Sequence, residues 1–145
     1  VVPVKRFVNR ERELDALEEQ YASDGASLVV LYGRRRVGKT TLINEFIKDK
    51  KAMYFLANEE NETLSMKNFT EVLSEYTGKE YLKSASFESW KDLFEVFLKH
   101  DHGTKKLLVI DELPYMVNAN PAFPSILQWV WDTWFIKENV MLILC

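Results

Sequence analysis

Gly33-Arg34-Arg35-Arg36-Val37-Gly38-Lys39-Thr40 fits the pattern G-x-x-x-x-G-K-[ST], and each fixed position has a chemical reason. Glycine permits backbone conformations and close approaches that a Cβ would block, so successive N–H groups can turn inward onto phosphate oxygens. Lys39 offers a mobile cation to β- and γ-phosphates, and the Thr40 hydroxyl is a hard oxygen ligand suited to Mg²⁺. A second constellation lies downstream, where the apolar run Leu107-Leu108-Val109-Ile110 ends in Asp111-Glu112. A carboxylate at the end of a buried strand can complete a Mg²⁺ shell opposite Thr40. A second carboxylate beside it can orient, or take a proton from, a water attacking the γ-phosphate. An apolar run ending in two acids is weak alone; after a phosphate-binding loop, in the same inferred sheet, it gains force.

These residues need a scaffold, and the apolar spacing supplies one. Residues 28–32 form a continuous apolar, β-branched run of the kind buried on both faces of a parallel sheet. The segment 33–38 reads as a turn, and Leu42, Ile43, Phe46 and Ile47 then follow at helical spacing, so the loop opens a helix whose positive end favours phosphate. Further strands are expected at 52–57, 107–110 and 140–144. Helices are expected at 9–21 with Asn9 as N-cap, along Met66 to Tyr76 until Gly78, along Phe87 to Leu98, and after Pro121 through Trp134 and Phe135. Strands alternating with helices, without hairpin signals, predict a three-layer α/β domain with a mostly parallel sheet. The aromatic stripes read as core.

The composition agrees with one such domain over 1–145. The 145 residues are 47% hydrophobic and 28% charged, enough apolar surface to exclude a disordered tail. A net charge of −3 gives no bulk attraction to nucleic acid or acidic lipid. The single cysteine rules out an intrachain disulfide. No apolar stretch approaches the ~20 residues that span a bilayer, and no signal-peptide pattern opens the chain, so a cytoplasmic protein is expected. The chain stops at Cys145 directly after the apolar run 140–144, so the domain reads as C-terminally incomplete.

Three boxes resemble the archaeal-type ATPase family, within the AAA+/STAND branch of P-loop NTPases. They are Phe7-Val8-Asn9-Arg10-Glu11 with Glu13-Leu14, the loop with its preceding Leu31-Tyr32, and Ile110-Asp111-Glu112-Leu113-Pro114-Tyr115. The resemblance implies the P-loop NTPase fold, with the strand at 140 lying between those at 28 and 107 and the strand at 52 outermost. It implies that Phe7, Val8 and Arg10 lie against adenine. Gly33, Arg34, Arg35, Arg36, Val37, Gly38, Lys39, Thr40 and Thr41 would wrap the triphosphate, Thr40 and Asp111 would serve Mg²⁺, and Glu112 would be the catalytic acid–base with Lys39 beside it. Asn9 departs from the family pattern, where glycine is frequent. The family's polar sensor residue, a fifth strand and the arginine contact would fall beyond Cys145, so the fourth strand, 140–144, central in the implied sheet, would leave its neighbour at an apolar edge.

The reading that follows is a Mg-ATP-binding core that hydrolyses ATP to drive a conformational switch or remodel an unidentified protein partner, with an oligomer open for the full-length protein. A nucleotide-gated binding module without turnover is the alternative. A small-molecule kinase fits less well, because the arginines lie inside the loop and Glu112 suits water activation. No Asn-Lys-x-Asp box supports a guanine nucleotide. Residues 33–51 carry seven cations against Glu45 and Asp49, which reads either as a nucleic-acid contact or as charge balance for bound triphosphate and a solvated helix end. His100 and His102 lack the further ligands a zinc site needs, the segment 58–62 reads as a solvated loop, and Cys145 has no inferred role.

Overall fold

Five parallel strands, in the order β1-β2-β5-β4-β3, form the centre of the fold. The computed structural model describes the backbone of residues 2–4, 10–31 and 36–145, and the side chains of 11–31 and 38–145. In chain order the strands are β1 (Val2–Val4), β2 (Ser27–Leu31), β3 (Met53–Leu56), β4 (Lys106–Asp111) and β5 (Val140–Leu144). The helices are α1 (Arg10–Ala22), α2 (Arg36–Ile47), α3 (Glu62–Thr77), α4 (Trp90–Lys99), α5 (Leu113–Ala119) and α6 (Phe123–Thr133), with 3₁₀ turns at Glu80–Ser84 and Phe135–Lys137. β5 pairs with both β2 and β4, so it is central, and β3 is outermost on β4's side, as the family resemblance implies.

Two apolar layers sandwich the sheet. On one face Leu17 of α1 and Leu42, Ile43 and Phe46 of α2 meet Val29, Leu31, Leu107, Val109, Met141 and Ile143. On the other, α3 to α6 pack on Met53, Phe55, Leu108, Ile110, Val140 and Leu142. Successive strand residues point to opposite faces, so a strand buried on both sides must be apolar, as β5 is throughout and β4 is from Leu107 to Ile110. Phe69 is a hub of the second layer, with ring centroids 5.0, 5.5 and 5.6 Å from Phe55, Trp90 and Phe94. The helix carrying it is bounded by local chemistry. Asn61 accepts the Leu64 N–H at 2.9 Å, and Gly78 ends α3 at φ 75°, a left-handed conformation that glycine adopts without strain.

The structure differs from the sequence reading in several elements. β1 pairs with β2 through Val2↔Val29 and Val4↔Leu31, adding an unanticipated strand and covering the edge of β2 that was expected to be exposed. α2 begins at Arg36, so Arg36, Val37 and Gly38 are helical rather than part of a turn. α5 was not anticipated; it starts directly after the acidic pair, with Pro114 near its N-terminus, where a missing N–H is tolerated. α4 begins at Trp90 because Ser89 caps it, accepting the Asp92 N–H at 3.3 Å, which leaves Phe87 outside. α6 stops at Thr133, and the buried Phe135 belongs to the following 3₁₀ turn. Among the described residues no helix is long and apolar enough to cross a membrane.

Candidate functional site

Strand alternation decides where the acidic pair points. Leu107 and Val109 face α1 and α2, so Asp111, at the same parity, lies on the α2 side of the sheet at its C-terminal edge. Tyr54 of β3 and Cys145, just past β5, pack on that same layer. The ends of β4 and β5 coincide, with Ile110 opposite Leu144. Lys39 and Thr40 stand near the start of α2, half-buried, on this face.

Asp111 is only 1% exposed. A buried carboxylate is costly unless donors surround it, and two do so here. The Tyr54 hydroxyl donates to Oδ2 at 2.5 Å, and the Glu112 N–H donates to Oδ1 at 2.9 Å. Glu112 itself occupies the left-handed region at φ 60° and ψ 42°, the one described non-glycine residue with positive φ. That conformation turns the chain from β4 directly into α5. The Leu113 N–H then donates to the Cys145 carbonyl at 2.8 Å, and the Cys145 N–H to the Ile110 carbonyl at 3.0 Å. Burial pushes the Cys145 thiol up; the neighbouring Asp111 carboxylate adds to the rise, Lys39 opposes it, and Glu112 contributes a further push. Electrostatically, then, Lys39, Asp111, Glu112 and Cys145 share one neighbourhood.

Of the residues singled out in the sequence, the fold thus brings together Lys39, Asp111 and Glu112, with Thr40 and Thr41 on the helix that carries Lys39. Phe7, Val8, Gly33, Arg34 and Arg35 lie outside the described residues, as does the expected N-cap Asn9. Arg10, Arg36 and Val37 have described backbone only, at the starts of α1 and α2. Two site neighbours escaped the sequence reading. Tyr54 carried one signal, a polar tip within the apolar run 52–57; Cys145 carried none.

The weaker candidates have other engagements. Lys48 pairs with Glu45 at 2.6 Å, and Lys50 bonds Glu18 and Asp49 while lying over the Phe46 ring. The ring nitrogens of His102 meet the Tyr76 hydroxyl at 2.7 Å and the Thr104 hydroxyl at 2.8 Å. Glu62, at the start of α3, accepts from Trp90 Nε1 and from the Asn120 amide, so it braces the α3–α6 layer. A cavity of about 400 Å³ opens on the far face, between Leu28, Leu113, Leu127, Trp131, Leu142 and Leu144. Its lining is almost wholly apolar and includes no Lys or Arg to meet a polyphosphate.

Comparison with known proteins shows the family. The family of ATPase domains predominantly from archaea matches residues 7–145. Protein MJECL04 of Methanocaldococcus jannaschii is 34% identical over 139 residues, covering 95% of this chain and 29% of that protein. The ATP-binding protein MJ0423 of the same organism is 56% identical over 45 residues, covering 31% of this chain and 76% of that protein. Among solved structures, the Walker-type ATPase PABY2304 of Pyrococcus abyssi superposes with a TM-score of 0.65 at 16% identity, over 99% of this chain and 47% of that one. The ORC2 protein of Aeropyrum pernix gives 0.54 at 15% identity, over 99% of this chain and 42% of that one. The chain therefore spans under a third of the length of MJECL04 and under half of each of these structures. The folds agree as three-layer P-loop domains, the family match takes in the loop and the acidic pair, and this chain belongs to the archaeal ATPase-domain family.

Proposed function

We propose that this domain binds Mg-ATP and hydrolyses its γ-phosphate bond, using the released energy to change conformation against a protein partner. One observation carries the reading. Lys39, at the start of a helix, and the Asp111-Glu112 pair, at the end of a strand, stand on the same face and at the same end of one parallel sheet. Ligands of open α/β sheets bind at that carboxyl end. The ATP-binding relative and the nucleotide complexes of the ORC2 protein support the same ligand.

The donor chemistry suits magnesium. Asp111 and Thr40 offer hard oxygens, and among the described residues no cluster of three or more His, Cys, Asp or Glu could hold a metal unaided. Magnesium commonly binds through one or two protein oxygens, completing its shell with phosphate and water. When bound, it would neutralise charge on the phosphates. Lys39 would hold the β- and γ-oxygens and stabilise the charge that develops there. Glu112 would orient a water and accept its proton as the water oxygen bonds to phosphorus and the bridging bond to ADP breaks. Positioning and electrostatics carry the reaction, with no covalent intermediate.

The test is nucleotide titration of this chain by calorimetry, alongside phosphate release. Lys39→Ala should abolish measurable Mg-ATP binding, and Glu112→Gln should retain binding while release falls at least 100-fold, within the range attributed to a general base. Tight binding by the Lys39 variant would refute the reading.

A further inference from the structure

We propose that Tyr54 is a positioning residue for the divalent cation, acting through the carboxylate of Asp111. The proposal rests on the reading above only in assigning Asp111 to the metal; the role of Tyr54 comes from the geometry.

Tyr54 sits opposite Val109 in the β3–β4 register, two residues short of Asp111, with its ring on the α2 face. From there its hydroxyl reaches along β4 and donates to Asp111 Oδ2 at 2.5 Å, the length of a charge-assisted O–H···O⁻ bond. The Glu112 N–H holds Oδ1 at 2.9 Å. With both oxygens held, the carboxylate plane of Asp111, a residue 1% exposed, cannot rotate about its Cβ–Cγ bond without breaking a bond. The lone pairs these donors leave unengaged are the directions open to a cation. The backbone donor is fixed by the chain, so the tyrosine hydroxyl is the side-chain element of this clamp. Outer-shell partners of metal-binding carboxylates commonly matter 10- to 100-fold in metal affinity.

Tyr54→Phe removes one oxygen atom and leaves the ring to fill its place. The experiment measures binding of a fluorescent ATP analogue as a function of Mg²⁺, binding without metal, and direct Mn²⁺ binding to the nucleotide complex by electron paramagnetic resonance. The variant should need about tenfold more Mg²⁺ for half-maximal binding and hold Mn²⁺ correspondingly more weakly, with metal-free nucleotide affinity unchanged. Adding Tyr54→Phe to Asp111→Asn should then change nothing further, because its effect passes through that carboxylate. An unaltered Mg²⁺ requirement would overturn the proposal. So would an equal loss with and without metal, an undiminished effect in the Asp111→Asn background, or a Tyr54→Phe chain that does not fold. If the unmodified chain shows no metal-dependent binding at all, the Mg-ATP reading fails too; a wild-type response with an indifferent Tyr54→Phe sinks only the tyrosine.

Discussion

Glu112 holds φ 60° and ψ 42°, and replacing it by alanine and by glycine separates what this backbone costs from what the carboxylate does. The left-handed region brings Cβ close to the following carbonyl oxygen, at a cost of ~1–2 kcal/mol for any residue but glycine. Glycine has no Cβ, but it loses ~0.4–1 kcal/mol more backbone freedom on folding. The difference leaves Glu112→Gly more stable than Glu112→Ala by about 1 kcal/mol. In a chain of this length that amounts to roughly 2–4 °C in melting temperature. Both variants lack the carboxylate, so contacts made by the glutamate side chain cancel in the comparison. Differential scanning calorimetry and urea titration supply the stabilities, and phosphate release supplies the activity. The expected pattern is phosphate release lowered at least 100-fold in both, with the glycine variant the more stable. Equal stabilities, or a more stable alanine variant, would refute a strained turn, and undiminished turnover in either would remove Glu112 from the chemistry.

Two further outcomes follow from the packing. Phe69 is fully buried against Phe55, Trp90 and Phe94, so Phe69→Ala should lower unfolding stability by about 3–5 kcal/mol in urea titration, and a loss under ~2 would mean the layer closes over the gap. At the other end of α3, burial lowers the pKa of His102, helped by Lys51 and Lys106 and opposed by Asp101; burial also lowers that of His100, helped by His102, Lys79 and Lys51. Both favour the neutral form in the folded state. Their contribution is therefore present above the ordinary value of 6.5 and is lost as pH falls through that value toward the lowered ones. Replacing both histidines by glutamine should flatten the dependence of unfolding stability on pH between about 7 and 5; an unchanged slope would assign that dependence elsewhere.

The parts of the site legible in the sequence are those written in local patterns. The apolar run ending at Asp111 announces a buried strand, and period-two alternation places the carboxylate with Leu107 and Val109 once α2 is known to cover that face. The loop motif followed by Leu42, Ile43 and Phe46 announces α2. The order of strands was not in the patterns; it came from the family resemblance. Tyr54 and Asp111 lie 57 residues apart, and no spacing rule joins residues across two strands that an entire helical layer separates in sequence. The left-handed turn at Glu112 was hidden because glycine or asparagine is its usual signal. α5, with seven residues and an early proline, is too short to show a helical period. β1 is three residues long with Pro3 at its centre, which a strand tolerates only at an edge.

The main-chain bonds around the acidic pair have a mechanical consequence. The Ala57 N–H reaches the Asp111 carbonyl at 2.9 Å, while Cys145 and Leu113 lace the same turn to β5. Tied on both flanks, the turn has no hinge of its own and behaves as the fixed jaw of a vice. The acids therefore hold a fixed position at the carboxyl end of the sheet. Movement at this edge has one built-in lever, α5, which begins at Leu113 and bears on α3 and α6. Any shift of Glu112 would therefore be passed to the far layer of the sandwich, on the side away from α2.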